Sequence, residues 1–145
     1  MVITKDIEFD MGHRVPNHKS KCSNPHGHRY KIEVAVDGAV IQKPGDSSEG
    51  MVIDFGDLKQ ILMDYVDSRL DHGYMIYKGD EFLPLFIEMQ KTGKKIIIVD
   101  FVPTAENIAE FIYDLIKGPL LDKDIRLKHV RIWETPTSTA IYGVT

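Results

Sequence analysis

Cysteine is nearly absent: Cys22 is the one thiol in 145 residues. That excludes an internal disulfide and any zinc site built from several cysteines of this chain. Long apolar runs are missing too. The stretch Ile96 to Val99 is typical of the longest, far short of the roughly 20 residues a membrane-spanning helix requires, and no membrane partner is expected. There is no long basic block. Lys plus Arg number 18 against 22 Asp plus Glu, for a formal charge of −4, which argues against nucleic acid as a partner. The opening MVITKDIEFDMGHR carries Lys5, Asp6 and Glu8 and no apolar centre, unlike a secretory signal, so a cytoplasmic location is expected. Repeats and low-complexity tracts are also lacking. What is present is an ordinary globular balance, 43% hydrophobic and 28% charged. One domain over residues 1–145 is expected, long enough to bury a core without disulfides or a structural metal.

Val2 to Asp10 alternates, with Ile3, Ile7 and Phe9 on one parity, as a half-buried strand does. A polar loop runs from Arg14 to Pro25. His28 to Val40 reads as a second strand, Tyr30, Ile32, Val34 and Val36 alternating with Arg29, Lys31 and Glu33. Gln42 to Gly50 is turn-rich. Asp54 is placed to cap a helix with Leu58, Ile61, Leu62, Tyr65 and Val66 on its apolar side and Gly73 near its end. Residues 73 to 93 are the least readable stretch, and Lys94 to Phe101 reads as a short extra strand. Thr104 caps a second helix striped by Ile108, Phe111, Ile112, Leu115 and Ile116 and stopped by Gly118-Pro119. Leu127 to Glu134 and Thr139 to Val144 read as two last strands. Strand pairs at both ends predict an α+β fold, an antiparallel sheet with helices on one face. The open edges of such a sheet make self-association by sheet continuation a natural solution.

The chemistry concentrates in Cys22-Ser-Asn-Pro-His26-Gly-His28. Period-2 alternation puts the imidazoles of His26 and His28 on one face, where a single metal ion can hold both, and Gly27 permits close backbone approach between them. His13 ends the neighbouring strand and is the best third ligand. Three neutral imidazoles suit Zn²⁺ and leave a fourth position open, the catalytic pattern. Taken alone, His-x-His is more often just a polar strand start. Cys22 stands as a fourth ligand, a buried small residue or a reactive thiolate; a polar loop beside Lys21 is a poor place for packing, and a nearby zinc would favour the thiolate. Asp71-His72 is either a helix-end pair or a general acid/base oriented by a carboxylate. Glu134 is either a solvated strand end or a two-bond acceptor for an N–H/NH₂ edge of a heterocycle. Glu106, in a first helical turn, is explained by the helix dipole alone. His18 and His129 read as ordinary polar residues.

Six segments in order resemble the 6-pyruvoyl-tetrahydropterin synthase family: F-x-x-G-H-R at Phe9 to Arg14, C-x-x-x-H-G-H at Cys22 to His28, G-M-V-I-D-F at Gly50 to Phe55, L-D-H at Leu70 to His72, P-T-A-E-N at Pro103 to Asn107 and W-E-T at Trp133 to Thr135. The gap of three residues between Cys22 and His26 is similar to the 6-carboxytetrahydropterin synthase branch, which serves queuosine biosynthesis. The resemblance implies zinc on His13, His26 and His28, catalysis by Cys22 with Asp71 and His72, and a pterin ring anchored by Glu134. The matched P-T-A-E-N segment adds Thr104 and Glu106 as candidate substrate contacts. The implied fold is the tunnelling fold, four antiparallel strands with two helices on one face, closing into a β-barrel as trimers that stack into a homohexamer. The implied reaction takes 7,8-dihydroneopterin triphosphate to 6-carboxytetrahydropterin, with loss of triphosphate and acetaldehyde, and Arg14, Lys19, Lys21 and Arg29 are candidate cations for the triphosphate. Rivals are the pyruvoyl synthase activity on the same substrate, a dihydroneopterin-processing relative, which often carries a Glu near the Cys22 position where this chain has none, and a zinc- or pterin-binding module without catalysis. Residues 73 to 102 are longer than in compact members, and Met11-Gly12 stands where many have two alanines.

Overall fold

The two alternating segments near the start pair along their full lengths. β1 (Val2–His13) and β2 (His26–Asp37) lie antiparallel, Val2 opposite Asp37 and His13 opposite His26, in the computed structural model, which describes residues 1–144. β5 (Arg126–Thr135) joins the free side of β2, and β6 (Ser138–Gly143) joins β5, both antiparallel. This is the expected four-stranded antiparallel sheet. It does not stop at β1. β3 (Gly73–Tyr77) runs parallel to the end of β1, and β4 (Ile96–Val99) runs parallel to β3. The sheet is therefore six-stranded and mixed, in the order β4-β3-β1-β2-β5-β6.

Asp54 caps α1 (Phe55–Leu62) by accepting from the Gly56 amide at 2.7 Å. The helix continues through a π-helical stretch, Met63–Asp67, into the last turn α2 (Ser68–Leu70). The wider π-turn shifts the helical phase. Val66 and Leu70 are fully buried, whereas Tyr65, expected in the apolar stripe, is exposed. Thr104 caps α4 (Ala105–Leu121), its hydroxyl accepting from the Asn107 amide at 3.3 Å. Gly118-Pro119 does not stop α4. Pro119 sits inside its last turn, and the helix carries on to place Leu120, which is fully buried.

Both long helices pack on one face of the sheet. There Phe9, Tyr30, Ile32, Val34 and Ile132 meet Leu58, Leu62, Ile108, Ile112 and Ile116 in one core. The least readable stretch holds a parallel strand–helix–strand unit, β3, α3 (Leu83–Lys91) and β4. Met75 on β3 belongs to the main core, while its neighbour Ile76 packs with Phe86 and Ile96 in a second cluster. Adjacent strand residues point to opposite faces, so α3 covers the other face of the sheet at this end. No helix of the described residues is long and apolar enough to cross a membrane.

Candidate active site

Strand register assembles the histidines. His13 stands directly across from His26, and His28 pairs with Met11, two positions along on the same face. The three ring centroids are 4.6, 4.9 and 5.1 Å apart, and one nitrogen from each ring lies within 4.8 Å of the others. Between them Gly12 faces Gly27. A Cβ on Gly27 would lie 3.2 Å from the Met11 carbonyl oxygen, and one on Gly12 would lie 2.7 Å from the Tyr74 ring, so the close crossing here depends on both glycines.

Two of the rings are oriented by backbone. His13 Nδ1–H donates to the Pro103 carbonyl at 2.7 Å, and His26 Nδ1–H donates to the Asn24 carbonyl at 2.6 Å. Each bond turns Nε2 toward the cluster, the arrangement by which an outer hydrogen bond fixes the tautomer of a ligating histidine. Nε2 of His13 and Nε2 of His28 are both buried with no hydrogen-bond partner. Buried polar atoms are rarely left so, and a cation bound by three imidazoles satisfies both. Burial holds His13 down to about 4, and burial likewise lowers His28 against the opposing charge of Glu134. Both rings are thus neutral near pH 7, the form that binds a metal. Cys22 is not part of this cluster.

Glu134 is brought to the cluster by β5. Its Oε1 lies 3.9 Å from His28 Nε2, and it lines a cleft of ≈ 530 Å³ with His28, Trp133 and Thr135. The Tyr30 hydroxyl is buried without a partner, and burial followed by the Glu134 charge raises its pKa well above the ordinary phenol range. A second cleft of ≈ 450 Å³ meets the first along Gly27, His28 and Arg29 and carries His72 on its far wall. His72 Nδ1–H donates to Asp71 at 2.8 Å. Asp71 in turn accepts the Asp10 amide at 3.0 Å, and that bond is the main reason its pKa lies below the ordinary carboxylate value. The His72 amide returns to the Asp10 carbonyl at 2.7 Å and holds His72 at φ +60, a left-handed conformation that a side chain with a Cβ adopts only when its surroundings impose it.

The remaining candidates lie elsewhere. Cys22 is half-buried on a 3-10 turn, Lys21–Ser23, and lines neither cleft. Thr104 uses its hydroxyl as the helix cap, and Glu106 is exposed in the first turn of α4. Arg14, expected as a cation for phosphate, is instead buried and paired with Asp80. Its charge is already neutralised, and burial leaves no room for a phosphate. Arg29 is exposed but paired with Asp10 at 3.0 Å and Glu8 at 3.7 Å. The groups missed in the sequence are mostly backbone: the Pro103 and Asn24 carbonyls and both peptide groups of Asp10. Only the Pro103-Thr104 start of α4 gave a local signal.

The chain is similar, nearly end to end, to known proteins of one family. The profile of the family described as 6-pyruvoyl tetrahydropterin synthase matches residues 2–144. A 6-carboxy-5,6,7,8-tetrahydropterin synthase from Haemophilus influenzae is 38% identical over 141 residues, 97% of this chain and 96% of that one. Among solved structures, a 6-pyruvoyl tetrahydropterin synthase from Caenorhabditis elegans superposes with a TM-score of 0.67 at 25% identity, covering 100% of this chain and 96% of that one. An uncharacterised protein from Wolinella succinogenes shares the fold with a TM-score of 0.79 at 23% identity, over 99% and 97% of the two chains.

Proposed function

Since the chain belongs to the 6-pyruvoyl tetrahydropterin synthase family, we propose that it is a lyase of the 6-carboxy-5,6,7,8-tetrahydropterin synthase type, acting on 7,8-dihydroneopterin triphosphate with release of triphosphate and acetaldehyde. The observation that carries this reading is the convergence of two buried, unpartnered imidazole nitrogens beside a cleft that also holds a carboxylate. The 38% identity with a protein of that name supports the carboxy rather than the pyruvoyl product.

His13, His26 and His28 hold the metal, and zinc is the ion we assign, because three neutral imidazoles with an open position suit it. When bound, the ion supplies Lewis acidity that lowers the pKa of the substrate side-chain hydroxyls. The rest is done by side chains. Glu134 accepts two hydrogen bonds from the N–H and NH₂ edge of the pterin and so orients the ring in its cleft. We assign Cys22 as the group that takes a proton from the substrate side chain, which requires the substrate side chain to reach beyond the two clefts to the Lys21–Ser23 turn. His72, held by Asp71 with Nε2 facing outward, passes protons to and from the other end of the cleft. Turnover then depends on Cys22 and His72, with Asp71 holding His72, whereas a mere binding module needs only Glu134 and the ion.

Mass spectrometry of products from purified, zinc-loaded protein and 7,8-dihydroneopterin triphosphate tests the assignment. A 6-carboxy product with acetaldehyde supports it. A 6-pyruvoyl product moves the chain to the other branch of the family, and no turnover together with tight pterin binding points to a binding module.

A further inference from the structure

Arg14 follows the ligand His13 in sequence yet touches nothing in the metal cluster or the clefts. Its guanidinium is buried, with Nε donating to Asp80 at 2.7 Å and Nη1 donating to the Ser23 carbonyl at 2.8 Å. Ser23 is the residue after Cys22. The carbonyl of Cys22 itself accepts the Val15 amide at 2.8 Å. Two consecutive carbonyls of the thiol-bearing turn are thus tied to two consecutive residues at the end of β1. The far side of the guanidinium stacks on the Phe82 ring at 4.5 Å. The Asp80 side chain is fully buried and also accepts the Phe82 amide at 2.9 Å. The other nearby carboxylate, exposed Glu81, reaches Nη2 only at 3.9 Å, so the buried Asp80 is the partner that holds the guanidinium in place, and losing it leaves a buried charge poorly compensated. The 3-10 turn has no buried residue of its own to hold it in place.

We propose that Asp80, acting through Arg14, is a positioning residue for Cys22: the buried pair clamps the Cys22–Ser23 turn at the end of β1, so that the β3–α3 connection sets where the thiol stands. This rests on the catalytic role proposed for Cys22, but its main consequence is visible without substrate. Neutralising Asp80 frees Arg14 from its anchor, and the Ser23 carbonyl then loses a fixed donor. The turn becomes mobile while the histidine cluster, held by the Pro103 carbonyl and by the pairing of β1 with β2, stays as it is.

Cys22 is the only thiol, so alkylation of the protein reports on it alone. The experiment compares zinc-loaded wild type with Asp80→Asn and with the double variant Arg14→Met/Asp80→Leu, which replaces the buried pair by apolar side chains and can keep the fold where the single change does not. Both are expected to retain zinc and to react faster with iodoacetamide than wild type. On dihydroneopterin triphosphate, kcat should fall about tenfold to a hundredfold with KM little changed, the size of effect expected from misplacing a reacting group. Ile76→Val, in the small cluster of the same strand–helix–strand unit, is the control for lost stability and should alter neither readout. Wild-type alkylation rates in a folded, zinc-bound variant overturn the proposal. Faster alkylation in the variants with no turnover in wild type leaves the clamp standing and removes the activity instead.

Discussion

Burial keeps His13 neutral near pH 7 against the Pro103 hydrogen bond, which favours the charged ring, and this gives the metal-free protein a defined acid weakness. The folded pKa is about 4, below the ordinary 6.5, chiefly because burial penalises the charged ring. The unfolded chain then binds the proton more readily, so folding stability is complete above pH 6.5 and falls as pH drops toward 4. The gap corresponds to about 3 kcal/mol. His28 adds to the loss in the same direction, whereas the depressed Asp71 loses its contribution only below the usual carboxylate value. Urea midpoints of chelator-treated protein should therefore fall between pH 6.5 and 4, and His13→Gln should flatten that slope; an unchanged slope would refute the assignment. His28→Ala removes one of three ligands, and metal content after dialysis should drop from about one ion per chain to almost none, measured by plasma emission. Full retention of metal would take His28 out of the site. Glu134→Gln exchanges an acceptor for a donor facing a donor. Charge-assisted bonds contribute about 1.5–3 kcal/mol each, so pterin affinity by calorimetry should fall about tenfold to a hundredfold or more, with metal content unchanged.

At the scale of elements, Lys95 joins two segments that the sequence keeps 24 residues apart. From the residue before β4 its Nζ donates to the carbonyls of Ser68 at 2.9 Å and Asp71 at 2.6 Å. These are the free carbonyls at the end of α2, where a cation is favoured. Lys95→Met should lower the melting temperature by a few degrees in scanning fluorimetry and lower kcat through the strained His72 that follows, while leaving zinc bound. An unaltered kcat would show that the Asp10 bonds alone hold His72. Such long-range ties explain what was legible in the sequence. β1, β2 and α4 could be read because each has one buried side, so polar and apolar residues alternate at the strand or helix period. The caps Asp54 and Thr104 could be read because their partners lie two or three residues away. The three-histidine face followed from strand parity. β3 could not be read, because it lies between the main core and the α3 cluster: Met75 and Ile76 are both fully buried and the alternation vanishes. α3 buries only Phe86 and has no stripe, although Pro84 in its first turn was an available start signal. The Arg14–Asp80 pair spans 66 residues and leaves no local trace.

At the scale of the whole molecule, the sheet has one face without a long helix and two edges without partners. The open face of β1, β2 and β5 is a lattice of charges, Asp6 with Lys31 at 3.4 Å and Glu33 with His129 at 3.0 Å, with Lys31 over the Trp133 ring at 4.4 Å. Such a self-satisfied polar surface offers little to an apolar partner. The edges are different. β3 covers only Met11–His13 of β1, so most of that 12-residue strand keeps an open side, as does β6 at the other end of the antiparallel sheet. Long open edges recruit another strand. Because the two edges differ, a β1-to-β6 contact is head-to-tail, and it closes only as a ring. The four antiparallel strands of each copy would then continue into a barrel, with three copies per ring and two rings stacked, the hexamer we propose. Light scattering coupled to size exclusion should report six times 16.5 kDa, or half that mass if the rings separate on dilution. The charged face would then line the inside of the barrel, and high salt should weaken its ion pairs without opening the backbone-bonded edges, so the mass should hold at 1 M salt. A stable monomer with full turnover would mean that the edges are protected in some other way and that one chain carries a complete site.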